Sequence, residues 1–409
     1  MQIGLNFVTP LWTGGASRQA NRVQTTGLLG SLRWWYEALV RGLGGYVSDP
    51  TATAEEERSR SEFDTKAYQD ALKHGHSQAE ALAMGLQSLG AVEYLFGATG
   101  WASLFRLQVL QPAERTALHF RTTLDINKNW LGRVFQGDEQ RDYAIDSLEV
   151  PYGPAKLNFV LRGHDTEYVQ SQLALLFRFI AAYGGLGARL QYGFGQIADL
   201  ALPPELTDTL LADDLQQLKS KLKSGGLRRD GPMQSTPYDL RNFFHLTYQL
   251  PTSALNRFLC SDAHFGNPKK QGETDYIPCA FDLRYKGKPP LGFRRWLKEE
   301  KGWQESDAPT VLGPLDELMG PRSQWKNAQG TTVTISDDLR TASRICFSMP
   351  VKAADGYRLV IFGFAPPEII SVDDLCSLCE EYMQAVFHSS PKQKVLGRDL
   401  LQPIAGGSQ

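Results

Sequence analysis

The 409-residue chain is short of cysteine, of net charge and of long apolar runs, and each shortage closes off a class of protein. It holds five cysteines, Cys260, Cys279, Cys346, Cys376 and Cys379, all in its second half. An odd count of this kind does not make a disulfide framework, and reduced thiols in the cytoplasm are expected. The start, Met1-Gln-Ile-Gly-Leu-Asn6, has no basic leader ahead of an apolar stretch, so no secretory signal is read there. No run approaches the roughly 18 apolar residues of a membrane span. The apolar stretch from Leu173 to Ala182 is broken by Arg178 and reads as a buried helix. The formal net charge is -2. Phosphate binding is largely electrostatic, so this balance does not favour a protein that coats nucleic acid alone. It leaves room for local basic patches within a larger assembly.

Metal and catalytic motifs are scarce too. The seven histidines, His74, His76, His119, His164, His245, His264 and His388, form no HExxH pair. Cys376-Ser-Leu-Cys379 has neither a second cysteine pair nor a nearby histidine, so it reads as two small apolar residues on a buried helix face rather than zinc ligands. His74-Gly-His76 is too sparse for a metal. Asp125 and Asp138-Glu139 fall in loops without a readable role. No Ser-His-Asp set is indicated by spacing. Neither a cofactor nor a metal is expected. A general-base histidine beside an RNA ribose stays open, with His119 and His164 as its candidates in the first half.

What is present is ordinary globular material, 42% hydrophobic and 22% charged. The length fits two or three domains of about 100–200 residues. Ile3, Leu5 and Phe7 alternate with polar positions as in a half-buried strand. Leu28, Leu32, Trp35, Leu39 and Leu43 recur at helical spacing. Residues 47–90 are polar and helix-prone, with a capping box at Ser77 and Glu80, and read as an insertion. Strands are predicted over 104–110, 118–124 and 157–162, a helix over 166–183 and a closing strand over 196–201. This is the order of a βαββαβ ferredoxin-like unit. Pro203-Pro204 ends it, and 205–239 form a connector. A second unit over 240–409 is predicted from strands at 243–250, 343–349 and 357–364 and helices at 291–301 and 372–387. The fold class is thus α+β, two tandem ferredoxin-like domains (1–204 and 240–409) with a helical insertion in the first.

The halves echo one another. Thr26-Gly-Leu-Leu-Gly-Ser-Leu-Arg-Trp-Trp-Tyr-Glu37 is matched by Pro290-Leu-Gly-Phe-Arg-Arg-Trp-Leu-Lys-Glu299. Tyr94-Leu-Phe-Gly97 followed by Ala102-Ser103 is matched by Glu317-Leu-Met-Gly320 and Ala342-Ser343. Two landmarks in the same order imply a duplicated unit.

Three segments carry candidate function. The glycine-rich run 184–195 includes Gly187, Arg189, Gln191 and Tyr192. Its helix–glycine–strand order is the reverse of a dinucleotide fingerprint, which leaves a phosphate-backbone contact or a tight packed connection. Ahead of the first helix lie Gly14-Gly15, Arg18, Arg22, Thr25 and Thr26, arranged for anion binding at a helix N-terminus, with Arg33 further along. Trp35 falls on the core stripe, while Trp34 is open between packing and base stacking. A basic stretch, Arg284, Lys286, Lys288, Arg294, Arg295 and Lys298, reads equally as a contact surface or a solvated helix face.

Thr9-Pro-Leu-Trp-Thr-Gly-Gly15 with Thr25-Thr-Gly-Leu-Leu-Gly-Ser-Leu-Arg-Trp-Trp35 resembles the start of subunit one of the type III-B CRISPR Cmr effector complex. Leu95-Phe-Gly97, Ala102-Ser103 and Gly185–Gly195 resemble signatures of the RAMP superfamily. The likeness is strong over 1–200 and rests on architecture over 240–409. It implies a cytoplasmic, antiviral, RNA-binding subunit near the guide-RNA 3′ end. The implied partners are guide RNA (crRNA), target RNA and other Cmr proteins, with target cleavage left to a neighbouring subunit. The RNA-facing positions carried over are Arg18, Arg22, Thr25, Thr26, Arg33, Gly187, Arg189, Gln191 and Tyr192. The second unit lacks a clear glycine loop, which favours a protein-contact role there. The alternatives are a RAMP-family endoribonuclease that processes guide precursors and a subunit that touches only proteins.

Overall fold

The computed structural model describes residues 1–14, 20–48, 62–121, 144–163, 165–229, 236, 238–260, 275–322, 324–326 and 330–405. Arg18, Asp125, Asp138, Glu139, His164 and His264 lie outside the described residues, as does the side chain of His119.

The chain is a mixed α+β protein with antiparallel sheets. Strand β1 (Gln2–Phe7) leads to helix α1 (Thr25–Gly42), which keeps the apolar spacing that predicted it. The polar segment that follows holds α2 (Thr65–Lys73) and α3 (Gln78–Leu86), the latter opened by the Ser77–Glu80 capping box. A short α4 (Ala91–Phe96) precedes strands β2 (Phe105–Gln111), β3 (Glu114–Arg121) and β4 (Ala144–Leu161). Helix α5 (Thr166–Tyr183) and β5 (Ile197–Ala201) complete the first sheet. Its order is β2-β4-β1-β5, with β3 paired to an outlying part of β4. Strand β4 is much longer than the predicted 157–162 because it serves three partners, β2 near its end, β3 near its start and β1 between Gly153 and Asn158. The connector contains α6 (Leu211–Ser224), fastened to α5 by an Arg178–Asp214 ion pair.

The second half starts with β6 (Phe243–Leu250) and the helices α7 (Thr252–Cys260), α8 (Ala280–Tyr285), α9 (Phe293–Lys301) and α10 (Pro314–Met319). A small hairpin of β7 (Gln324–Lys326) and β8 (Thr332–Thr334) follows. Then come β9 (Ile345–Phe347), β10 (Val351–Ala353), β11 (Gly356–Phe364), α11 (Val372–Phe387), β12 (Gln393–Leu396) and α12 (Gly397–Ala405). The second sheet runs β10-β11-β6-β12, with β9 also on β11. Sequence pattern missed β12 because its four residues, Gln393-Lys-Val-Leu396, are half polar and too few to show a period.

The two sheets share one helical layer. In the first, Ile3, Leu5, Phe7, Phe105, Leu107, Leu157 and Phe159 face α1 and α5. Alternate positions, Asn6, Arg106, Gln108, Lys156, Asn158 and Val160, stand on the other face, half-buried or exposed. In the second sheet both faces are apolar. Phe244, Leu246, Tyr248, Leu359 and Ile361 point into a core with α7, α9 and α11. Phe243, Val360, Phe362 and Phe364 belong instead to the first core. Trp35 makes ring contacts with Phe179, Phe243, Phe362 and Phe364, and Trp34 packs edge-on against Tyr238 and Phe364. The open question at Trp34 therefore resolves to packing. In α11, Cys376 and Cys379 are buried, and burial pushes the Cys376 thiol up to about 12.

The duplicated landmarks are duplicated in geometry. Arg33 of α1 pairs with Glu93 (3.0 Å) and reaches the Gly97 carbonyl; Arg294 of α9 pairs with Asp316 and reaches the Gly320 carbonyl (3.0 Å). Each glycine ends its helix at positive φ, +93° and +81°. Ser103 Oγ donates to Leu95 O and Phe105 O, as Ser343 Oγ does to Leu318 O and Ile345 O. The serine thus ties the helix end to the strand that follows in both halves.

Candidate nucleic-acid interface

The two motif-bearing turns of the first half meet. Gly195 N–H donates to Pro10 O (2.8 Å), Ala188 N–H to Trp12 O (2.8 Å) and Gln196 N–H to Thr9 Oγ1 (2.9 Å). Gly187 N–H donates to Ser31 Oγ of α1 (2.9 Å), and Trp35 Nε1–H to Gly185 O (2.9 Å). The tryptophan indole thus finds its partner inside the glycine run, which ties the two motifs to each other. At Gly187, φ is +95° and a Cβ would lie 2.6 Å from Trp12 O. Close approach, rather than an open cradle, is what this glycine supplies.

The far side of the loop packs against the second half. Tyr192 stacks on Phe281 at 4.3 Å between ring centroids, Gln191 O accepts from Arg284, and Gly193 abuts Met349. Burial pushes the Tyr192 phenol up to about 12. Arg189, in a left-handed conformation at φ 63°, lays its guanidinium over the Trp12 ring at 4.2 Å. Desolvation pushes its pKa down to about 10, so it stays charged at neutral pH. Of the glycine-run candidates, Gly187, Gln191 and Tyr192 are thus engaged in packing, and Arg189 is partly exposed over Trp12. The basic stretch proves mixed as well: Arg284, Lys286 and Arg294 are buried, while Arg295 and Lys298 pair with Glu299 and Glu305 on the surface.

The N-terminal end of α1 is more open. Thr13 Oγ1 donates to Arg22 O (3.0 Å) and accepts from Gln24 N–H (2.9 Å), fixing the entry into the helix. No side chain caps this end and its first turn carries no acid, so its amide dipoles stay uncompensated. The side chains of Arg22 and Thr26 are exposed and Thr25 is half-buried. Arg33 is held by Glu37 (3.1 Å) and Glu93, with Ser48 Oγ donating to the same Glu93 oxygen. Burial raises the Glu37 carboxyl, against the pull of Arg41 and Arg33. Arg33 is thus a structural cation whose exposed edge faces a groove.

That groove has a volume of about 310 Å³ and runs between α1 and the edge strand β2. Thr25, Arg33, Phe96, Phe105, Arg106 and Arg162 are among its lining residues, and no carboxylate is. Arg106 and Arg162 escaped the sequence reading because each sits on a strand or just past one, outside any motif. Nothing in their spacing shows that both arginines line one groove with Thr25 and Arg33 of α1.

No curated protein matches this chain. Its fold is similar to a crystal structure of apo Cmr1 from Pyrococcus furiosus, at 13% identity and a TM-score of 0.39, covering 89% of this chain and 88% of that one. It is also similar to a chain in a type III-B Cmr-beta complex bound to cognate target RNA, at 12% identity, a TM-score of 0.38, and 94% and 99% coverage. A third similarity, covering 51% of this chain and 91% of the other at 17% identity and a TM-score of 0.29, is to a chain of a type IV-B CRISPR complex. Residues 5–198, the span holding the paired turns, α1 and the groove, match the family model of the RAMP superfamily.

Proposed function

We propose that this chain is an RNA-binding subunit of a type III-B CRISPR effector complex. It sits near the guide-RNA 3′ end, grips guide or target RNA through its first half, and works in the cytoplasm. It contributes binding rather than cleavage; base pairing supplies sequence specificity while the protein holds backbone, the division used by RNA-guided systems. The observation that carries this reading is the RAMP match over residues 5–198, coinciding with an acid-free first turn of α1 flanked by exposed Arg22 and Thr26. The two sheets are read as tandem ferredoxin-like units, with α2 and α3 inserted in the first. The shared strand order and the repeated Arg–acid–Gly–Ser network support that assignment.

The test is reconstitution of the effector with Arg22→Glu in this subunit, reading target-RNA capture across a salt series. Capture is expected to weaken, and the slope of log affinity against log salt to fall by about 0.7 for one lost single-strand phosphate contact. Unchanged capture with an intact assembly would count against this face.

A further inference from the structure

Resting on the RNA-binding reading above, we propose that the groove between α1 and β2 seats one nucleotide of a single-stranded RNA. The base lies against Phe96 and the phosphate between Arg106 and Arg162. Phe96 is partly exposed, and its ring is fixed between Tyr36 (5.8 Å) and Phe105 (5.4 Å), so the groove has a rigid aromatic floor. Splayed bases of single strands stack on such rings, whereas paired bases inside a duplex cannot reach them. The volume of about 310 Å³ suits one small unit rather than a helix.

The charge distribution selects the other end of the ligand. Three arginines line the groove without a carboxylate. Arg33 is held by Glu37 and Glu93, so its charge is balanced where it stands. Arg106 and Arg162 are exposed and have no ion-pair partner among the described residues. They stand close in the sheet, since Arg106 is in register with Val160 and Arg162 N–H donates to Leu104 O (2.7 Å). Two free guanidinium forks at the rim of an apolar floor match a phosphate attached to a ring, because the forks bind phosphate oxygens while the floor takes the base. Thr25 faces the same space and adds a hydrogen-bonding group for a ribose.

The experiment uses the whole chain, alone and in its reconstituted effector, with a short oligouridine RNA carrying 5-iodouridine. Ultraviolet crosslinking followed by peptide mapping is expected to place adducts on the peptide containing Phe96 or Phe105. The Arg106→Glu/Arg162→Glu variant is expected to bind the RNA about tenfold or more weakly, with a salt slope smaller by about 1.4. Its circular dichroism and melting should match the parent, as both side chains are exposed. The Arg106→Lys/Arg162→Lys variant should recover most of the affinity. Crosslinks confined to residues 20–33 and 187–192, with the double variant binding as the parent does, would overturn the nucleotide site while leaving the RNA-binding reading intact. Absence of RNA binding in both settings, with an acidic peptide held by the same arginines, would overturn both.

Discussion

Gly193 is where the glycine run of the first half touches the second, and it gives a sharp test of how the halves are joined. Its φ is +83°, and a Cβ there would lie 2.3 Å from Met349 N and 2.8 Å from Ser348 C. Alanine meets two separate costs. Left-handed backbone disfavours an L side chain by about 1–2 kcal/mol. Overlap with main-chain atoms, which cannot swing aside as a side-chain end does, adds about 1–3 kcal/mol. Gly193→Ala should therefore destabilise by about 2–5 kcal/mol. Gly44→Ala is the control, because Gly44 has φ +77° with nothing within 4 Å, so only the backbone cost applies. Melting of both variants, followed by near-ultraviolet circular dichroism, reads the difference. At ~2–4 °C per kcal/mol for domains of 150–250 residues, the two melting temperatures should separate by several degrees. Equal shifts would show that the close approach to Ser348 and Met349 adds nothing and would refute this account of Gly193.

Two further expectations concern buried charge. Arg33→Gln leaves Glu93, 2% exposed, without its cation, and Arg294→Gln does the same to Asp316, 1% exposed. Each should cost about 3–5 kcal/mol by chemical denaturation, and the loss should shrink when the acid is also made its amide. His245 is buried with Nδ1 unpaired, and desolvation, with Arg358 nearby, pushes its pKa from 6.5 to about 4. The fold holds the neutral ring while the unfolded chain binds a proton below pH 6.5. Stability is therefore full above that pH and falls as pH drops toward 4, by about 2 kcal/mol between pH 6.5 and 5. His245→Phe should flatten that part of the pH–stability curve; a curve unchanged by the substitution would contradict the assignment.

Much of the framework was legible in the amino-acid order. Helix 166–183, strand 243–250 and helix 372–387 fall where periodicity put them, because each has a long and regular apolar pattern. The echo of Arg33 in Arg294 and of Ser103 in Ser343 was visible as spacing, and the structure gives it a cause in two identical sets of bonds. The face of the second sheet that meets α1 was not legible, since a strand buried on both sides does not say which core each side joins. The glycine run was seen, but its role was not. Leu186, Gly187, Ala188, Tyr192, Gly193, Gly195 and Gln196 all donate their N–H groups to protein acceptors, so the donors expected for phosphate are already satisfied. Spacing reports that a backbone bends sharply, not whether the space beside the bend holds a ligand or a neighbouring strand.

Helix α1 belongs to two structures at once, with Leu32 and Trp35 inside one core and Trp34 against the sheet of the other half. Prising the halves apart would wet Trp34, Trp35, Phe179, Phe243 and Phe364 together, so a hinge at this junction is closed to the molecule. Any motion between the halves would have to expose this aromatic cluster to water, a loss of burial that holds them together.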